Sequence, residues 1–215
     1  MRIAFSSNAF RKYSLIETID ILADAGYKGI EIMCDIPHAY PPDLNKESIS
    51  GILQHLKERD MKISNLNAFM LTAIGDFHHP SWIEKDKAQR ELRINHTIGC
   101  VRLAAELGGA TISTEPGGPV DGMGMDRTEA MKLFIDRLNR VVEVAKPLGI
   151  KILVEPEPDL LIQTSNEFME FIQQVDTENI ALNCDLGHHF CVGEDPCQVL
   201  DEFKDLIGHI HILLM

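Results

Sequence analysis

The turn Ser6-Ser7-Asn8-Ala9-Phe10 follows the first apolar run, Arg2 to Ser6, and contains no glycine. Two folds are built from regularly alternating strands and helices, and this turn separates them. An open doubly wound sheet that binds dinucleotides starts with a glycine-rich turn, because the backbone must approach a pyrophosphate closely. A closed (β/α)₈ barrel needs no such turn and carries its chemistry at the C-terminal ends of several strands. The missing glycine therefore favours the barrel, provided that the rest of the chain alternates.

It does. After the first strand, a capping box Ser14-Leu15-Ile16-Glu17 starts a helix with Ile16, Ile19, Leu22 and Ala23 on one face, ending at Ala25-Gly26. Further strands are expected at Gly29 to Met33, Lys62 to Asn67, Ala110 to Thr114, Lys151 to Val154, Ile180 to Cys184 and Ile207 to Leu213. Helices are expected from about Lys46 to Arg59, Ile83 to Leu107 and Thr128 to Lys146, after the capping box Thr164-Ser165-Asn166-Glu167, and after Pro196. Seven strands and six helices in strict alternation imply right-handed βαβ units and a parallel sheet. The expected fold is an α/β (β/α)₈ barrel in one domain, residues 1–215, with strands one to seven present.

Composition narrows the function classes. With 45% hydrophobic and 25% charged residues, the 215-residue chain is neither disordered nor a disulfide scaffold. Its 33 acidic against 20 basic side chains give a net charge of -13, which argues against a nucleic-acid or anionic-membrane partner. Nothing approaches the roughly 18 apolar residues of a membrane helix, and the N-terminus does not read as a signal peptide. Five cysteines without a CxxC pair read as reduced thiols of a cytoplasmic protein.

The strand ends supply Asn8, Glu31, Asn67, Glu115, Glu155, Asp185 and His211. Strand alternation puts Asp185 on one face with Asn183 and Ala181, and His211 with His209, while Cys184, Leu182, Ile210, Val154 and Ile152 face the helices. Every assignment turns the more apolar set outward against the helices. Carboxylates and imidazoles gathered at three neighbouring strand ends call for a positive charge between them. An oxygen-rich site with one imidazole suits Mn²⁺, Co²⁺, Mg²⁺ or Zn²⁺.

At these residues the sequence resembles the xylose isomerase-like barrels, the sugar and sugar phosphate isomerases and epimerases that include the tagatose 3-epimerase group. The resemblance is carried by Glu155-Pro156-Glu157-Pro158, Asp185-Leu186-Gly187-His188 and His209-Ile210-His211, with weaker support from Gly29-Ile30-Glu31 and Leu107-Gly108-Gly109. It implies a divalent metal held by Glu155, Asp185 and His211, with His188 on substrate oxygens. It also implies isomerisation or epimerisation through an enediolate, with two glutamates moving the proton and Glu155 the first of them. The family's fourth ligand, a glutamate on the eighth strand, has no counterpart here. At about 34 residues per β/α unit a closed barrel needs roughly 250 residues or more, so the eighth unit is expected beyond residue 215.

Other readings remain open beside this one. Glu157 is a substrate contact or an outer partner of the metal ligands. Glu31 and Glu115 either touch substrate or hydrogen-bond to neighbouring loops. His78-His79-Pro80 and Trp82 could cover the pocket, and the glycines from Pro116-Gly117-Gly118-Pro119 to Gly122-Met123-Gly124-Met125 read as a mobile loop. Cys184, His188, His189 and Cys191 offer a zinc knot, which an inward Asp185 would exclude. The competing functions are a non-catalytic sugar-binding barrel and a metal hydrolase like the apurinic-site endonucleases of the same superfamily. The expected partner is a small carbohydrate, with a homodimer as the expected assembly.

Overall fold

A computed structural model describes residues 3–70, 79–121 and 123–212. The strands are β1 (Phe5–Ser6), β2 (Gly29–Met33), β3 (Lys62–Asn67), β4 (Thr111–Thr114), β5 (Lys151–Val154), β6 (Ile180–Asp185) and β7 (Ile207–His211). They form one parallel sheet in chain order, β1 to β7. The helices are α1 (Leu15–Asp24), α2 (Lys46–Glu58), α3 (Lys87–Leu107), α4 (Arg127–Ala145), α5 (Ser165–Ile172), α6 (Leu186–Cys191) and α7 (Pro196–Phe203). The sheet is strongly curled. In a flat sheet β2 and β7 would lie about 24 Å apart, yet Glu31 Oε2 of β2 is 2.9 Å from His211 Nε2 of β7. This is a barrel wall of seven parallel strands, lacking the eighth β/α unit among the described residues.

Both capping boxes form as expected, Ser14 with Glu17 and Thr164 with Glu167. Gly26 and Gly108 end their helices with φ of +92° and +72°, backbone that a Cβ would strain. Other expectations are corrected. The helix expected from Ile83 starts four residues later, because Asp86 caps Gln89 while Trp82 and Ile83 are drawn into the core. Ile16 is exposed, and the buried stripe of α1 runs instead through Leu15, Ile19 and Leu22. An unexpected helix, α6, follows β6 directly, so strict alternation fails there. Its cause is local: the Asp185 carboxylate accepts from the backbone N–H of Gly187 and His188 and starts a helical turn. The first two and last three residues of the chain, and with them the outer ends of the first and seventh expected strands, lie outside the described residues.

Two irregularities set which side chains enter the barrel. Between β2 and β3 the register jumps from Ile30–Ile63 to Glu31–Asn65, skipping Ser64. Between β6 and β7 it jumps from Leu182–Ile207 to Asn183–His209, skipping Gly208. Each bulge shifts its strand by one residue and re-aims the side chains beyond it. At Gly208 a Cβ would lie 2.4 Å from the Leu153 side chain, which would have to shift to admit one. After the bulges, Asn65 stands beside Glu31, His209 beside Asn183 and His211 beside Asp185.

Candidate metal centre

Three adjacent strands deliver the donor groups. Glu155 follows β5 and its N–H donates to Thr114 O at 3.0 Å, extending the ladder by one residue and fixing the side chain's direction. Its Oε2 accepts from Asn183 Nδ2 at 2.5 Å, while Oε1 lies 3.2 Å from His211 Nδ1. Asp185 Oδ1 is used in starting α6, which leaves Oδ2 at 3.8 Å from His211 Nδ1 and 3.9 Å from His188 Nε2. Donors sharing one first-row divalent ion at about 2.1 Å stand about 3.0–3.5 Å apart. His211 Nδ1 lies 3.2 Å from Glu155 Oε1 and 3.8 Å from Asp185 Oδ2, near that spacing, and the chemistry of two carboxylates and an imidazole suits such an ion. Donor atoms of Glu155, Asp185 and His188 also fall within 4.8 Å of one another.

A second group of converging donors comprises Glu31, His209 and His211. Glu31 Oε2 lies 2.9 Å from His211 Nε2, 3.5 Å from His209 Nε2 and 2.9 Å from Asn65 Nδ2. Neither group contains a cysteine. Cys184 is buried on the helix side, its thiol pushed up to about 12 by burial and by Asp185 and Glu155. His189 pairs with Glu194 at 2.7 Å, away from the strand ends.

The electrostatics follow from burying this many acids together. Burial opposes the charge on Glu31, but His211, His209 and the Asn65 amide outweigh it and hold the acid at about 2. Burial likewise opposes a charge on His211, and Glu31 and Glu155 overcome it, raising the imidazole to about 11. Burial pushes Asp185 up, with Glu155 adding to the effect against the pull of His188. Glu157, partly buried beside the donors, is pushed to about 8 by burial and by the charges of Glu155, Glu115 and Asp185. It is thus a neutral acid at pH 7 in the metal-free chain. The folded chain keeps a proton that the unfolded chain releases above about 4.5, so Glu157 weakens stability increasingly as pH rises from there to about 8. Glu157→Gln, neutral throughout, is expected to raise the melting temperature of metal-free protein. The gain should grow between pH 5 and pH 8 in a melting series, and a pH-independent gain would refute the assignment.

The other residues singled out in the sequence fall as follows. Glu115 meets Arg93 of α3 through both oxygens, with Nη2 to Oε1 at 2.7 Å and Nη1 to Oε2 at 3.4 Å. Burial raises its pKa even against Arg93. Trp82 does not cover the pocket: it is fully buried, donates to Thr114 Oγ1 at 3.1 Å and meets Phe134 edge-on. His79 pairs with Glu84, and His78 lies outside the described residues. Pro116 to Gly118 is buried rather than open: Gly118 N–H donates to Ser81 Oγ and Gly117 O accepts from Leu161. Gly122 also lies outside the described residues.

Sequence reasoning missed Asn65 and Arg93. Asn65 is hidden by the bulge, since plain alternation does not foretell a skipped residue. Arg93 left a trace: with His96, Thr97 and Cys100 it forms a helix-spaced stripe that continues into Ala104 and Leu107, and all six are buried.

Residues 19–213 match the family model described as the xylose isomerase-like TIM barrel. The chain belongs to this family. Among curated relatives, the inosose dehydratase of Clostridium beijerinckii is 25% identical over 199 residues, covering 91% of this chain and 62% of that protein. The chain thus spans less than two thirds of the length of that relative. Among solved structures, the Escherichia coli 3-keto-D-glucoside 4-epimerase YcjR superposes with a TM-score of 0.80 at 18% identity, covering 100% of this chain and 79% of that one. The IolI protein with a bound zinc atom gives 0.78 at 21% identity, covering 99% and 72%. At these identities the structural likeness bears on the fold. No described helix of this xylose isomerase-like barrel is long and apolar enough to cross a membrane.

Proposed function

We propose that this barrel carries a divalent-metal-dependent site for proton transfer next to a carbonyl, acting on a sugar or sugar phosphate as an isomerase or epimerase. The observation that carries the reading is the convergence of Glu155 Oε1 and Asp185 Oδ2 on His211 Nδ1, at 3.2 Å and 3.8 Å. Glu155, Asp185 and His211 would hold the cation, whose identity is left among Mn²⁺, Co²⁺, Mg²⁺ and Zn²⁺. A bound divalent cation acts as a Lewis acid toward a carbonyl oxygen and offsets the charge that builds there.

The chain's own residues supply the remaining parts. Glu155 is the candidate base, with Oε1 directed to the cation site and Oε2 the oxygen left to take the proton. Asn183 donates to Oε2 and so fixes the carboxylate plane. His188 Nδ1–H donates to Pro156 O, 3.1 Å away, and the ring stands at the rim with Nε2 toward Asp185, where it would meet substrate oxygens. Glu157, which holds a proton at neutral pH in the metal-free chain, is the candidate acid, able to return a proton to the carbon or deliver one to a departing hydroxyl.

That last property favours a second reading, dehydration, in which the same enediolate expels a hydroxyl as water instead of being reprotonated. The dehydratase relative supports it as well. Incubating the chain with Mn²⁺ or Co²⁺ and a panel of ketoses and inososes in D₂O separates these outcomes. Deuterium beside the carbonyl without loss of mass supports the isomerase reading. Loss of 18 mass units as water, about one H₂O per turnover, supports dehydration. Neither label nor loss, together with a melting temperature unmoved by either metal, leaves a non-catalytic barrel.

A further inference from the structure

We propose that Glu31 is the positioning residue of the metal centre, holding His211 by one ring nitrogen so that the other faces Glu155 and Asp185. The inference rests on the metal reading above and assigns Glu31 a role other than substrate contact.

The geometry is specific. An imidazole has two nitrogens on opposite edges of one ring, and a ligating histidine is oriented by what the other nitrogen meets. His211 Nδ1 faces the two carboxylates of the neighbouring strands, while Nε2 lies 2.9 Å from Glu31 Oε2. Glu31 reaches it from β2, on the far side of the barrel interior, and is itself 3% exposed, so the contact is enclosed. Because the ring stands between them, Glu31 Oε2 and the donors of Glu155 and Asp185 address different edges of His211.

Glu31 is in turn fixed from behind. Asn65 Nδ2 donates to its Oε2 at 2.9 Å and to Ser113 Oγ at 2.9 Å, and Thr111 Oγ1 donates to Asn65 Oδ1 at 2.8 Å. The bulge at Ser64 is what brings Asn65 beside Glu31. His209 closes the fourth side: its Nε2 is 3.5 Å from the same oxygen, and its ring meets that of His211 edge-on at 87°. A polar chain therefore crosses the barrel from β4 through β3 and β2 to the metal-facing histidine of β7. The rival assignment is a second cation held by Glu31, His209 and His211 Nε2.

Co²⁺ titration of the chain, read by absorption and by competition with a chelator, tests the role. The wild type is expected to bind one ion. Glu31→Gln keeps an acceptor for Nε2 and should weaken affinity about 10-fold, and Glu31→Ala nearer 100-fold, the range seen when the outer partner of a ligating histidine is lost. Stoichiometry should stay at one in both variants and in His209→Ala. Asn65→Ala, which leaves Glu31 present but loosened, should fall between wild type and Glu31→Ala and shift the Co²⁺ absorption band. Wild-type affinity in Glu31→Ala would overturn this role alone. Two ions per chain, with one lost in His209→Ala, would overturn it in favour of the second cation. A wild type that binds no Co²⁺ would overturn the metal reading and this role together.

Discussion

Asp185→Asn is expected to abolish divalent-metal binding while leaving the fold intact, with affinity falling by more than about 100-fold, beyond the range typical of losing an outer partner. The two Asp185 oxygens do separate jobs. Oδ1 accepts from the N–H groups of Gly187 and His188 at 2.8 Å and 3.0 Å and starts α6. Asparagine caps helices about as well as aspartate, so the amide oxygen keeps that role. Oδ2 is the atom that faces His211 and His188, and there the substitution replaces an anionic donor with an amide N–H₂ that repels a cation. Burial and Glu155 already oppose the charge on Asp185, so its removal does not threaten the metal-free chain. Co²⁺ titration with circular dichroism as the folding control checks both halves. Metal binding at wild-type affinity by the folded variant would remove Asp185 from the ligand set. His211→Ala is expected to share the loss of metal.

The second large effect is on stability. Arg93→Ala should destabilise the chain by about 3–5 kcal/mol, the usual result of breaking one side of a buried ion pair. Arg93 is 1% exposed and meets four acceptor atoms: both Glu115 oxygens, Pro80 O at 2.9 Å and Ala68 O at 3.3 Å. Alanine leaves the carboxylate and the two carbonyls without this donor in the interior, and Glu115, already raised by burial, loses the charge that opposes the rise. A loss of that size lowers the melting temperature by roughly 6–20 °C in a chain of this length. Chemical denaturation measures it, and a loss below about 1 kcal/mol would show that the pair is dispensable. Arg93→Ala paired with Glu115→Leu should recover part of the stability, because both charges are then gone.

Much of the site was legible because strand periodicity is strict. Once Asp185 is turned inward, Asn183 follows, and once His211 is turned inward, so does His209; each is found there. The proposed ligands Glu155, Asp185 and His211 stand among the strand ends, and the family resemblance singled them out from the rest. What periodicity could not supply was the partner of each group. Glu31 and Glu115 are both acids at strand ends, and nothing in their local sequence distinguishes them. In the fold one meets two histidines and the other an arginine, since β2 curls round to face β7 while β4 packs beneath the start of α3.

The boundary between sequence and structure falls at the range of the interactions. Strands, capping boxes, glycine stops and the glycine-free first turn act within a few residues, so the sequence by itself determined a parallel α/β barrel with its candidate donor groups at the strand ends. The skipped residues Ser64 and Gly208, the helix that Asp185 starts, the buried Arg93 and the orientation of His211 were decided only in the tertiary structure. Glu31 and His211 are 180 positions apart in the chain. Their contact exists because seven strands curl, and because two bulges shift the side chains by one residue each. Neither curvature nor register is a property of any short stretch of sequence.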